Sequence, residues 1–148
     1  MDAAATLLTV DSDPKYSAIA VRHLEHDRRV TFIVEDAAAF LTRMRGNQFD
    51  LIFADTWAGK FDYLEEALTM LRPGGLYIID DMLPQPNWPD GHAPKVPRLI
   101  DVLERDPRLK VCKTAARRAR AVALNAVKGP RAAICLSWSS GIIVATHR

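Results

Sequence analysis

The chain contains no pair of glycines two residues apart: its seven stand at Gly46, Gly59, Gly74, Gly75, Gly91, Gly129 and Gly141. It therefore has no G-x-G turn, the device that lets backbone approach a bound dinucleotide, which counts against a nicotinamide-binding domain. Cysteine is scarce too. Cys112 and Cys135 are too few for a disulfide framework or a zinc knuckle, and two reduced thiols suit a cytoplasmic protein. No apolar run approaches the roughly 20 residues that a bilayer-spanning helix needs. Met1-Asp2-Ala3-Ala4-Ala5 lacks the basic and apolar segments of a secretory signal, so the cytoplasm is the expected compartment. A net charge of +2 provides no global attraction to nucleic acid or membrane. Ser137, Ser139 and Ser140 lie outside any G-x-S-x-G context, which argues against a serine hydrolase. His23, His26, His92 and His147 are scattered without metal-ligand spacing apart from the first two, and none is assigned a role.

What is present is the balance of one globular domain over residues 1–148, with 49% hydrophobic and 26% charged residues. Short apolar runs alternate with amphipathic segments. Thr6 to Val10 reads as a strand ending at Asp11, and Asp13-Pro14 then caps a helix expected to reach His26. Ile19, His23 and Leu24 offer that helix a buried stripe. Val30 to Val34 is a second strand, ending at Glu35-Asp36, and Ala37 to Arg45 a second helix closed by Gly46. Phe49 to Ala54 is a third strand, ending at Asp55. Phe61, Leu64, Leu68 and Leu71 form one face of a helix stopped by Pro73-Gly74-Gly75. Leu76 to Ile79 is a fourth strand, ending at Asp80-Asp81. Pro84 to Pro97 reads as a surface loop, in which Trp88 and His92 are candidate pocket residues. Val96, Leu99, Ile100 and Leu103 mark a further helix, followed by strands at Leu109 to Lys113 and Gly141 to Thr146. Such alternation predicts an α/β fold with a mostly parallel sheet, helices on both faces and right-handed crossovers.

In an open parallel sheet, ligands bind outside the carboxyl ends of the strands. Asp11, Asp36, Asp55, Asp80 and Asp81 each follow a strand run. Aspartates favour such places anyway, because they cap helices and start turns. Several on one rim would still repel unless a cation or polar ligand lies among them. Asp11 is suited to accept ribose hydroxyls, and Asp36 an adenine amine.

The stretch F-D-L-I-F-A-D over Phe49 to Asp55, with L-R-P-G-G over Leu71 to Gly75 and the strand ending D-D at Asp81, resembles the class I S-adenosylmethionine-dependent methyltransferases. Within them it looks most like the small-molecule O-methyltransferases of the catechol type. The resemblance runs from about Thr6 to Arg105. It implies a Rossmann-like sheet ending in an antiparallel strand, S-adenosylmethionine as cofactor and a small-molecule hydroxyl as methyl acceptor. It implies that Asp11, Asp36 with Ala37 beside it, Asp55 and Trp57 face the cofactor. In metal-dependent members, the positions of Asp55, Asp80 and Asp81 hold magnesium. Lys60 lies near the family's lysine base, and Asp55 and Lys60 are the implied catalytic pair.

The same resemblance expects a first strand and a glycine-rich turn before Thr6, so the expectation is an N-terminally truncated version of the fold. An incomplete, non-catalytic domain that needs a partner chain or a further N-terminal segment is the alternative. An exposed sheet edge would then favour a homo-oligomer. Residues 114–136 carry Arg117, Arg118, Arg120, Lys128 and Arg131 with no acidic residue, and read as a basic insertion with a helix over Ala115 to Val127. No aromatic is interleaved among them for base stacking, so a solvated surface fits better than a nucleic-acid site.

Overall fold

The computed structural model describes residues 4–113 and 142–147. The chain divides into two compact units, residues 1–44 and 45–148. The expected basic insertion and its helix, Cys135 and the serines around Trp138 lie outside the described residues.

The first unit contains β1 (Leu7–Asp11), α1 (Pro14–Leu24), β2 (Val30–Val34) and α2 (Ala37–Arg43). The strands pair in parallel, with Leu7 opposite Val30 and Asp11 opposite Val34. A helical crossover is what makes that pairing possible. Asp13 caps α1 by accepting the Lys15 N–H at 2.8 Å, with Pro14 in the first turn. The helix does not bury the expected stripe: Ile19 is 48% and Leu24 40% exposed. Ser17 is buried and Ala20 and Val21 half-buried instead. These stand at i, i+3 and i+4, and their small side chains allow close approach to the sheet.

The second unit contains β3 (Phe49–Ala54), α3 (Leu64–Thr69), β4 (Leu71–Ile79), α4 (His92–Arg105), β5 (Leu109–Lys113) and β6 (Ile143–His147). Its strand order is β3-β4-β6-β5. β3 and β4 are parallel, and β6 runs antiparallel to β4 and β5, as expected of the C-terminal strand. The core gathers Leu68, Met70, Leu71, Ile79, Leu103 and Ile143. Among the described residues, no helix is long and apolar enough to cross a membrane.

Two differences from the sequence expectation bear on the site. The helix stops at Thr69, and the strand already begins at Leu71, which faces Phe49. Pro73-Gly74-Gly75 therefore interrupts a strand rather than ending a helix. The ladder resumes only where Leu76 faces Leu51, so the intervening residues of β4 bulge. Gly74 has φ +83°, and a Cβ on Gly75 would meet the Arg72 carbonyl oxygen at 2.9 Å. The second difference is α4, which starts at His92 inside the expected loop. Gly91 makes the entry turn with φ +82°, and Pro94 falls in the first turn, where its missing N–H breaks no helix bond.

Candidate functional site

In the second unit, the carboxyl ends of β3 and β4 form one rim. Ala54 faces Ile79 in the parallel ladder, and the Asp80 N–H donates to the Ala54 carbonyl at 3.2 Å. Asp55 and Asp80 therefore leave adjacent strands together. The chain then turns sharply: the Asp81 N–H donates to the Asp80 carboxylate at 2.7 Å, and Asp81 adopts φ +58°.

Between Asp55 and α3, the segment Trp57 to Asp62 folds tightly on itself. The N–H groups of Lys60, Phe61 and Asp62 all donate to the Trp57 carbonyl, at 3.1, 2.8 and 3.1 Å. The Tyr77 hydroxyl, from the middle of β4, donates to the Gly59 carbonyl. This loop presents Lys60 with only 1% of its surface exposed. Burial pushes the Lys60 ammonium below its ordinary pKa, while Asp81, Asp55 and Asp80, in that order, pull it back up. Burial raises the Asp55 carboxyl; Lys60 opposes the rise, and Asp81 and Asp80 add to it. The groups thus sense one another in a poorly hydrated place, which favours a neutral amine more than water would.

An aromatic cluster adjoins them. Trp57 meets Phe61 edge-on at 5.8 Å between ring centroids, and Phe61 meets His92 at 4.9 Å. Trp88 stacks on His92 at 4.3 Å, and the Lys95 ammonium stands 4.8 Å from the Trp57 ring. His92 is 2% exposed, so it is a buried group rather than a pocket lining. Its Nε2 lies 3.0 Å from the Asp81 carbonyl oxygen. Trp88 does line a groove of about 570 Å³, with Met82, Pro84, Pro89, Val96 and Pro97.

Asp55, Lys60, Asp80 and Asp81 are thus brought together within one unit. Their oxygen donors suit a hard cation in kind. Among the described residues, however, no three His, Cys, Asp or Glu side chains are gathered so as to hold a metal ion. The trio expected to hold magnesium stands as acidic groups that act electrostatically on Lys60, not as an assembled cage. Trp57 lies at the surface of the same loop, 36% exposed.

In the first unit, Asp11 is the last residue of β1 and Asp36 lies just past the end of β2, and the Glu35 N–H donates to the Asp11 carbonyl at 3.1 Å. The Asp11 carboxylate accepts the Asp13 N–H at 2.8 Å. Asp36 accepts the Ala38 and Ala39 N–H groups at 3.0 Å each, which makes it the N-cap of α2, with Ala37 in the first turn. Tyr77 and Lys95 are absent from the sequence-derived set. A lone polar hydroxyl inside the otherwise apolar run Leu76 to Ile79 is the signal that points to Tyr77.

Residues 1–82 match the family model described as a methyltransferase domain. Among solved structures, a protein described as an O-methyltransferase from Klebsiella pneumoniae is 26% identical, with a TM-score of 0.70, over 99% of this chain and 64% of its own. The O-methyltransferase from Bacillus cereus, solved in complex with SAH, is 20% identical with a TM-score of 0.66, over 97% of this chain and 63% of its own. The O-methyltransferase TomG from Streptomyces achromogenes, involved in tomaymycin synthesis and solved with SAM, is 18% identical with a TM-score of 0.67, over 96% and 61%. The chain thus spans under two thirds of the length of these neighbours. Their likeness establishes the α/β, Rossmann-like fold. No curated protein matches the sequence.

Proposed function

We propose, for a chain that belongs to the methyltransferase-domain family, an S-adenosylmethionine-dependent methyl transfer to a hydroxyl oxygen of a small molecule. The observation that carries the reading is Lys60, 1% exposed and acted on by Asp55, Asp80 and Asp81 at the ends of two parallel strands. The reading treats residues 1–148 as one methyltransferase-like domain, which the structural likeness over 99% of the chain supports. The cytoplasm suits its two cysteines.

The cofactor supplies a methyl group made electrophilic by a sulfonium. The donor set fits its nucleoside: Asp11 would accept from the ribose hydroxyls and Asp36 from the adenine amine. Asp36 would do so while its other contacts cap α2, and Ala37 would lie beside the base. Within the second unit, Asp55 by its charge and Trp57 by its ring face are the residues suited to a sulfonium. Lys60, in neutral form, would take the proton of the acceptor hydroxyl and so raise the nucleophilicity of its oxygen. Desolvation lowers the pKa of the Lys60 ammonium from its ordinary value, so the amine becomes available as a base at lower pH than in water. No step of this mechanism runs through magnesium, because the three carboxylates are not gathered around a common point.

Calorimetry with S-adenosylhomocysteine tests the binding half. The intact chain is expected to release heat that Asp11→Ala abolishes, and no heat from the intact chain at millimolar ligand would refute the reading. The chemical half is tested by S-adenosylhomocysteine release with a set of phenols and catechols; Lys60→Met should bind the cofactor product normally and release none.

A further inference from the structure

Two buried rings outside the proposed chemistry each hold one loop of the site by its backbone. Tyr77 is 0% exposed and donates its hydroxyl to the carbonyl of Gly59, the residue just before Lys60. His92, 2% exposed at the start of α4, bonds through Nε2 to the carbonyl of Asp81 at 3.0 Å. A carbonyl oxygen only accepts, so this nitrogen carries the proton.

Both donors sit on fixed supports. Tyr77 lies on β4, which is hydrogen-bonded to β3 on one side and β6 on the other. His92 is stacked on Trp88 and closed edge-on by Phe61. Both acceptors sit in left-handed turns, which a glycine enters freely and an aspartate does not. Gly59 has φ +83° and Asp81 φ +58°. A left-handed conformation is uncommon for a residue with a side chain and persists where surrounding contacts impose it. The two carbonyls thus belong to the turn that presents Lys60 and to the residue whose carboxylate acts on it most strongly among its neighbours.

We propose that Tyr77 and His92 are the positioning residues of this site, two clamps that fix the backbone of the turn carrying Lys60 and that of Asp81 at the strand ends. Neither touches the reacting atoms. Each converts the rigidity of a buried ring into the placement of one stretch of backbone. The functional meaning rests on Lys60 as the proton acceptor, but the placement can be read without any methyl transfer.

The experiment is competitive acetylation of the whole chain with acetic anhydride, comparing Lys60 with the exposed Lys15 by peptide mass spectrometry. The unaltered chain should label Lys60 far more slowly than Lys15. Tyr77→Phe and His92→Ala should each raise the Lys60-to-Lys15 ratio about tenfold, the factor corresponding to one lost buried hydrogen bond. His92→Gln, whose amide can donate from a similar reach, should stay within about twofold of the unaltered chain. An unchanged ratio in folded Tyr77→Phe and His92→Ala overturns the proposal, as does a folded His92→Gln that behaves like His92→Ala. Should His92→Ala unfold in near-UV circular dichroism, a long-range 1H–15N spectrum of the unaltered chain decides. A proton on Nε2 supports the clamp, and a proton on Nδ1 alone overturns it.

Discussion

The Asp80 N–H donates to the Ala54 carbonyl at 3.2 Å, one residue beyond the point where Ala54 and Ile79 face each other. This bond sets the exits of β3 and β4 level, so that Asp55 and Asp80 emerge side by side. Like charges so placed stabilise any cation set opposite them, and the cation supplied by the chain is Lys60. Their charges accordingly oppose the lowering that burial imposes on the Lys60 ammonium.

The first prediction concerns pH. Burial is the largest influence on Lys60 and holds its pKa below the ordinary 10.5. For a lysine depressed in this way, the cost of burying the ammonium is fully present below the folded pKa and is relieved as pH rises towards 10.5. Methyl transfer should accordingly rise with pH to a midpoint below 10.5. Asp81→Asn removes the strongest of the attractions that restore the charge, so it should move the rising limb to lower pH. Lys60→Met should remove the limb and lower kcat by about a hundredfold or more. The pH profile of S-adenosylhomocysteine release checks all three, and a limb that Asp81→Asn leaves in place would separate Asp81 from Lys60.

The sequence already shows the strands that carry this site, because Phe49 to Ala54 and Leu76 to Ile79 are apolar runs closed by aspartates. It shows much less of what lies between them. Lys60 stands in a segment without periodicity, Trp57 to Asp62, whose shape comes from three N–H groups converging on one carbonyl. No pattern of residue types encodes that convergence. The helix pattern from Phe61 to Leu71 is misleading at both ends, since Tyr63 enters α3 with φ +56° and Leu71 is claimed by the ladder to Phe49. Pairing with a strand outweighs local periodicity there. His92 is unreadable for a related reason: prolines on both sides suggest a loop, and only the tertiary contact with Asp81 gives the ring a task.

Asp36 offers a clean separation of two roles, and this is the second prediction. Its carboxylate caps α2 through the Ala38 and Ala39 N–H groups, and the same carboxylate is the proposed acceptor for an adenine amine. Serine caps a helix about as well as aspartate, whereas alanine forfeits about 1 kcal/mol. Asp36→Ser should therefore keep the thermal midpoint and still weaken S-adenosylhomocysteine binding. Asp36→Ala should lower both. If Asp36→Ser binds like the unaltered chain, the residue is a cap and nothing more.

Arg108 is the third test, and it concerns stability alone. Its guanidinium makes two bonds of 2.7 Å to Glu65 and a 2.6 Å bond to Asp106, tying the first turn of α3 to the turn between α4 and β5. It holds both carboxyls below their ordinary values, while Glu65 and Asp106 raise the guanidinium further. Depressed carboxylates contribute stability above their unfolded pKa, and that stability is lost as pH falls through the folded values. Because Arg108 and Glu65 are partly exposed, solvent screening limits the pair to about 1 kcal/mol. Arg108→Met should cost that much near neutrality in urea unfolding, and the difference should vanish in acid. A difference that persists in acid would assign the loss to packing of the side-chain stem instead.

The fourth prediction follows from β3, which has a single hydrogen-bonded neighbour, β4, among the described residues. Leu51 and Phe53 alternate along it and are 51% and 54% exposed, so one apolar face accompanies an open row of backbone donors and acceptors. Edges of this kind pair with other chains unless a charge or a cover blunts them. The purified chain is therefore expected to self-associate with rising concentration in light scattering. Phe53→Lys places a charge on that face and leaves the backbone ladder to β4 unaltered. Removing one phenylalanine from an apolar contact is worth about 2 kcal/mol, so association should weaken by roughly tenfold to a hundredfold. Identical association of the two chains would show that contact is made elsewhere, and that the edge of β3 is not what joins them.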